Sequence, residues 1–216
     1  SLAKRACRMK ISTTARQARG AIDIVVDSTG LKVYGEGEWK VKQHGVEGRR
    51  VWRKLHLAVN ADSHEIVAQT LTGGNEHGSM QVEPLLEQIQ AKVSTFYGDG
   101  AYDQWKVYDR LEADAISPII PPRKNAKIKQ HGNCAADPLP RDECVRQINR
   151  EGKQAWAQSI GYHRRNLAET AMSRMKAAFG DRLKNQTPAT QAVEAAIRCN
   201  VLNAFAIIGM PASIWG

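Results

Sequence analysis

The sequence predicts an α/β fold, with a mixed sheet of three antiparallel strands, then alternating helices and strands, and helices closing the chain. Three observations predict it. Short β-rich runs with period-two alternation fill residues 21–73, helical and strand-like segments alternate over 80–120, and helical periodicity dominates from about 143 onward. At 216 residues the chain is long enough to bury a sizeable core.

The first strand is AIDIVVD (21–27), a β-rich run that ends in the turn formers of STG. LKVYGEGEWKVK (31–42) has two β-like arms around Gly35 and Gly37 and reads as a hairpin. VWRKLHLAVN (51–60) alternates, setting Trp52, Lys54, His56 and Ala58 against Arg53, Leu55, Leu57 and Val59; EIVAQTLTG (65–73) completes an antiparallel meander. The pattern then switches. MQVEPLLEQIQAK (80–92) is helical, with Val82, Leu85, Leu86 and Ile89 in one stripe. VSTFYGD (93–99) reads as a strand, AYDQWKVYDRLEA (101–113) as a helix and AISPII (115–120) as a strand. Residues 121–142 form a Pro- and Gly-punctuated basic loop or small insertion, and helices at about 143–157, 162–179 and 188–208 follow. Three strands, helix, strand, helix, strand and helices is the element order of the ribonuclease H-like fold.

Charge narrows the choice of partner. Against 22 Asp and Glu stand 31 Lys and Arg, a net charge of +9. Such a surplus favours a polyanion, most simply nucleic acid, because clustered cations displace counterions from phosphates. The four cysteines are scattered without a CxxC pair, which fits a reducing compartment, and no run of 18 apolar residues is present. The expectation is a cytoplasmic chain with no membrane partner. SLAKRACRMK at the start is basic and helix-compatible.

Three carboxylates stand out. Asp27 ends an apolar strand before a turn, where an acid is either a turn cap or a metal ligand on a rigid sheet. Asp23 shares its strand face and competes, but the turn would open Asp27 to a cleft. Asp99 follows the fourth strand between two glycines, which permit unusual backbone angles and close approach of a bulky ligand. The third lies in YHRRNLAETAMSRMKAAFG (162–180). At about 100° per residue, Tyr162, Arg165, Glu169 and Lys176 fall on one arc. Leu167, Ala168, Ala171, Met175 and Ala178 lie opposite and would pack on the sheet. The plainer alternative for that arc is a solvated Arg165–Glu169 pair. Three carboxylates on separate elements suit Mg²⁺ or Mn²⁺, which take oxygen ligands. Two such ions stabilise the attacking and leaving oxygens of an in-line displacement at phosphorus.

DSTGLKVYGEGEWK, YGDGAYD and Tyr-x2-Arg-x3-Glu-x6-Lys together resemble the DDE transposases of bacterial insertion sequences, in the group marked by that signature. The likeness runs from about residue 20 to the C-terminus. It implies a ribonuclease H-like catalytic domain over 21–216, with a basic insertion at about 121–150, behind a basic tail at 1–20 that is the remnant of an end-binding region. It implies Asp27, Asp99 and Glu169 as catalytic metal-binding triad with two Mg²⁺ or Mn²⁺ ions, and Tyr162, Arg165 and Lys176 as grips on the transposon end. It further implies hydrolysis at the element's terminal inverted repeats, transfer of the 3′-hydroxyl into target DNA, and a homodimer on paired ends in the bacterial nucleoid. Two alternatives remain: a truncated or co-opted DNA-binding derivative, and a ribonuclease H-like nuclease without strand transfer.

Other basic residues are candidate DNA contacts. RRVWRKLH carries Arg49, Arg50, Arg53 and Lys54 around Trp52, although charge on a strand also defends a solvated edge. Residues 121–150 hold seven Lys and Arg against three acids, and Arg123 and Lys124 are the candidates there. His131, Cys134 and Cys144 match no common zinc spacing. Met172 and Cys199 read as core, and His163 as a bystander.

Overall fold

The computed structural model describes residues 9, 11–33, 51–131 and 137–209. Most of the hairpin expected over 31–42, together with Arg49, Arg50, Cys7 and Cys134, lies outside them.

Among the described residues six strands form one sheet: β1 (Ile22–Val33), β2 (Trp52–Asn60), β3 (Ile66–Gly73), β4 (Val93–Tyr97), β5 (Ser117–Ile119) and β6 (Arg182–Leu183). The order is β3-β2-β1-β4-β5, with β6 beside the far end of β1. β2 is antiparallel to β1 and β3, whereas β4 joins β1, and β5 joins β4, in parallel. This order and polarity are those of the ribonuclease H-like fold, as expected. One boundary is corrected. The turn expected after Asp27 does not form, because Ser28, Thr29 and Gly30 continue the ladder opposite His56, Leu55 and Lys54. A continuous antiparallel pairing outweighs the local turn preference of Ser and Gly. Strand β6 was not expected; two residues carry no legible period.

Helices cover both faces. α1 (Val82–Leu86) and α2 (Trp105–Ala113) lie on one side, where Val82, Leu85, Val107 and Leu111 pack on Ile22, Ile24 and Val26. On the other side are α5 (Asn166–Phe179) and α6 (Pro188–Ile208), whose Ala168, Met172, Met175 and Cys199 pack on Val25, Leu31, Leu55 and Leu57. Alternate residues of β1 thus serve opposite cores, as the pleat requires. The carboxylates on odd-numbered β1 positions share the α5 face.

Several helices differ from the sequence expectation. The 80–92 helix is a 3-10 turn (Gly78–Gln81) followed by the short α1, with Pro84 in its first turn. The 101–113 helix splits into a 3-10 turn (Gly100–Tyr102) and α2, since Asp99 caps the turn through Ala101 N and Asp103 leaves helical angles. The 115–120 strand shrinks to β5. The 143–157 helix is two, α3 (Pro140–Glu151) and α4 (Lys153–Ser159), broken at Gly152 with φ 85°. Ala178 is exposed rather than packed on the sheet.

Residues 11–20 form no regular element, yet they are tied to the domain. Thr14 N donates to Asn200 Oδ1 at 2.7 Å, Asn203 Nδ2 donates to Thr14 O, and Arg16 pairs with the buried Glu65 at 3.1 Å.

Candidate active site

Parallel pairing of β1 and β4 brings two acids together. Val25 stands opposite Tyr97, so extending the register by two residues sets Asp27 beside Asp99. Adjacent strands lie about 4.8 Å apart. Asp99 keeps an extended backbone (φ −82°, ψ 177°) while its Oδ1 accepts from Ala101 N at 2.8 Å. Gly98 is required just before it: a Cβ there would lie 2.9 Å from Phe96 Cε1 and 3.0 Å from Tyr102 Cδ2.

The signature segment approaches over this pair. Gly161, in the left-handed region at φ 66°, turns the chain into a 3-10 turn (Tyr162–Arg165) that runs into α5. Tyr162 is therefore not on the α-helical arc expected for it. It reaches Asp99 by another route, with its hydroxyl donating to Gly98 O at 3.4 Å and its ring 5.4 Å from that of the buried Trp156. Burial, with the Asp99 and Asp27 charges adding to it, pushes the phenol up to about 12 although Arg165 opposes. Arg165 spans the gap between acids: Nη1 lies 2.7 Å from Glu169 Oε1, and Nη2 3.4 Å from Asp27 Oδ2. The solvated pair is thus real, but its guanidinium is shared with the strand acid.

The electrostatics follow from this packing. Burial raises the Asp27 pKa; the Ser28 amide and Arg165 oppose, and the Asp99 and Glu169 charges add to the rise. Asp27 is 15% exposed at its side chain and Glu169 51%, so Glu169 is not sealed in the core. Every donor is a carboxylate oxygen, the chemistry that hard divalent ions prefer. However, among the described residues no group of three His, Cys, Asp or Glu is close enough to hold a metal ion. Arg165 stands between Asp27 and Glu169.

The remaining candidates are less concentrated. Arg123 comes near, its Nε 3.5 Å from Gly100 O, and Lys124 is exposed on the same loop. Lys176 is exposed on the Glu169 side of α5, about 10 Å along the axis. Arg53 and Lys54 do not form one patch, since neighbouring strand residues face opposite ways. Arg53 points to the α6 side and bonds Gln191 Oε1 at 2.8 Å, whereas Lys54 bonds Glu76 O at 3.0 Å.

Two residues, Arg164 and Asp103, escaped sequence reasoning. Arg164 bonds Asp23 Oδ2 at 2.7 Å and also Asp62, which clamps the 3-10 turn to β1 and the β2–β3 turn. Asp23 is thereby a structural partner; burial raises its pKa, but Ser94, Thr95 and Arg164 outweigh this and hold it low. Asp103, the last acid of DGAYD, is buried and receives the Arg141 fork at 2.6 and 3.2 Å together with Arg123 N at 2.8 Å. It anchors the basic loop beside Asp99. The only sequence signals were the doubled Arg164–Arg165 and the second Asp after Asp99, and neither reveals burial.

Sheet order and strand-borne acids together define a ribonuclease H-like domain. The chain belongs to the transposase DDE domain family, whose profile matches residues 19–204. Among solved structures it is similar to the piggyBac transposase in a cryo-EM synaptic complex with hairpin DNA, at 10% identity and a TM-score of 0.48. That match covers 87% of this chain and 47% of the other, so this chain spans about half the length of that transposase.

Proposed function

We propose that this chain is the catalytic domain of a DNA transposase that hydrolyses phosphodiesters at element ends and joins the freed 3′-hydroxyl to target DNA. Family membership supports the class. The observation that carries the reading is the Asp27–Arg165–Glu169 bridge, at 3.4 and 2.7 Å, set beside Asp99. Acids from two adjacent strands and a helix then gather around one guanidinium rather than scattering.

In this reading Asp27, Asp99 and Glu169 hold divalent ions, Mg²⁺ or Mn²⁺, which when bound activate the attacking oxygen and stabilise the leaving one. The chain's own residues do the positioning. Arg165 presents a planar fork suited to a phosphate, and Lys176 adds a cation further along the duplex. Tyr162 holds the segment against Gly98 and so fixes the approach of Glu169 to Asp99. Arg123, anchored through Asp103, brings positive charge to the other rim. The substrate is transposon-end and target DNA, handled by a homodimer on paired ends in the bacterial cytoplasm.

The test is a cleavage-and-joining assay on the Asp99→Asn variant with and without Mg²⁺. The expected result is a loss of both reactions by roughly a thousand-fold, with non-specific DNA binding retained. Wild-type nicking or joining by the variant would overturn the triad. Cleavage without joining by the native chain would make it a nuclease, and binding alone a DNA-binding derivative.

A further inference from the structure

Arg165 is oddly placed for a residue whose task is to hold DNA. Both ends of its fork are already engaged, Nη1 on Glu169 Oε1 at 2.7 Å and Nη2 on Asp27 Oδ2 at 3.4 Å. These oxygens belong to the set proposed to hold divalent ions, so guanidinium and ion compete for them. The third nitrogen, Nε, is buried without an acceptor among the described residues. A guanidinium has five donors in a rigid plane, and leaving one dry and unmet is unfavourable. The present position is therefore incomplete for Arg165, and an oxyanion would supply what it lacks.

The local backbone allows a second position. Arg165 is the last residue of the 3-10 turn, with α5 beginning at Asn166, and its side chain is 23% exposed. Arg164 pins that turn through Asp23 and Asp62 independently of Arg165. The guanidinium can therefore move while the backbone stays.

We infer that Arg165 is an exchangeable counter-cation. It draws Glu169 toward Asp27 in the ion-free protein, gives up their oxygens when a divalent cation binds, and turns its fork to a DNA phosphate. The inference rests on the reading of Asp27, Asp99 and Glu169 as ion ligands. By linkage, an ion that frees Arg165 strengthens DNA binding by the same factor that DNA strengthens ion binding.

The experiment measures Mn²⁺ binding to the 216-residue chain without DNA, by the electron paramagnetic resonance signal of free Mn²⁺. Wild type, Arg165→Ala, Arg165→Lys and Asp99→Asn are compared, each checked for folding by circular dichroism. Removing the competitor should tighten Mn²⁺ binding about five-fold in Arg165→Ala, with Arg165→Lys between, since a single ammonium cannot bridge both acids. Adding Ca²⁺ should raise wild-type affinity for a short duplex, and should do so much less in Arg165→Ala. Unchanged or weaker Mn²⁺ binding in folded Arg165→Ala or Arg165→Lys overturns the inference while leaving the ion site standing. No Mn²⁺ binding by wild type, or full binding by Asp99→Asn, overturns the underlying reading instead.

Discussion

His56 offers a measure of what the sheet next to the site must tolerate. The ring is fully buried, pairs across β1 with Ser28, the residue after Asp27, and shares one hydrogen bond of 2.9 Å between Nε2 and Thr72 Oγ1. Its Nδ1 has no partner among the described residues. Burial, with Lys54 adding to it, lowers the pKa from 6.5 to about 4. In the unfolded chain the imidazole takes up a proton as pH falls through 6.5, whereas the folded protein does not until about 4. The unfolded state thus binds more protons in that window, and stability drops as pH falls across it, levelling off below the lower value. A fall from 6.5 to about 4, at about 1.4 kcal/mol for each tenfold change in proton affinity, gives a full loss of about 3 to 4 kcal/mol, about 3 of it reached by pH 4. The perturbation is His56→Leu, which removes the titrating group; the one Thr72 hydroxyl proton still has Lys54 O at 3.3 Å or Gly73 O at 3.2 Å as acceptor. Urea unfolding of both proteins at several pH values between 7 and 4 gives a difference curve in which shared carboxylate effects cancel. The wild-type advantage should shrink by about 3 kcal/mol across the window. A flat difference would refute the assignment of a neutral buried imidazole.

Two further outcomes are expected. Lys176→Ala should weaken DNA binding and reduce the slope of log affinity against log salt by about one; a binding titration over salt checks it, and an unchanged slope removes Lys176 from the interface. Gly98→Ala places a methyl 2.9 Å from Phe96 and 3.0 Å from Tyr102. It should cost about 1–3 kcal/mol in urea unfolding and slow strand joining through displacement of Asp99; wild-type stability would show that the rings yield freely.

The sheet was largely legible because its signals are local. Alternation over 51–60 and 65–73 specifies β2 and β3, and the β-rich run at 21–27 specifies the start of β1. What failed were places where a local preference met a tertiary one. The turn formers Ser28 to Gly30 were absorbed into the ladder with β2, and the helical arc through Tyr162 was cut short by Gly161 in the left-handed region. In the site, the strand acids could be found from their place at the edge of apolar runs. Asp103 could not, because burial of a carboxylate depends on Arg141, which arrives 38 residues later. Nor could spacing show that Arg165 would reach across to a strand.

The three acids do not share one mechanical fate. Asp27 lies on a strand laced to neighbours on either side, and Asp99 sits two residues beyond the end of another. Glu169 instead rides on a helix reached through the left-handed turn at Gly161. A small shift of that helix along the sheet would change the distance of the third acid from the first two and leave those two fixed to each other by strand pairing.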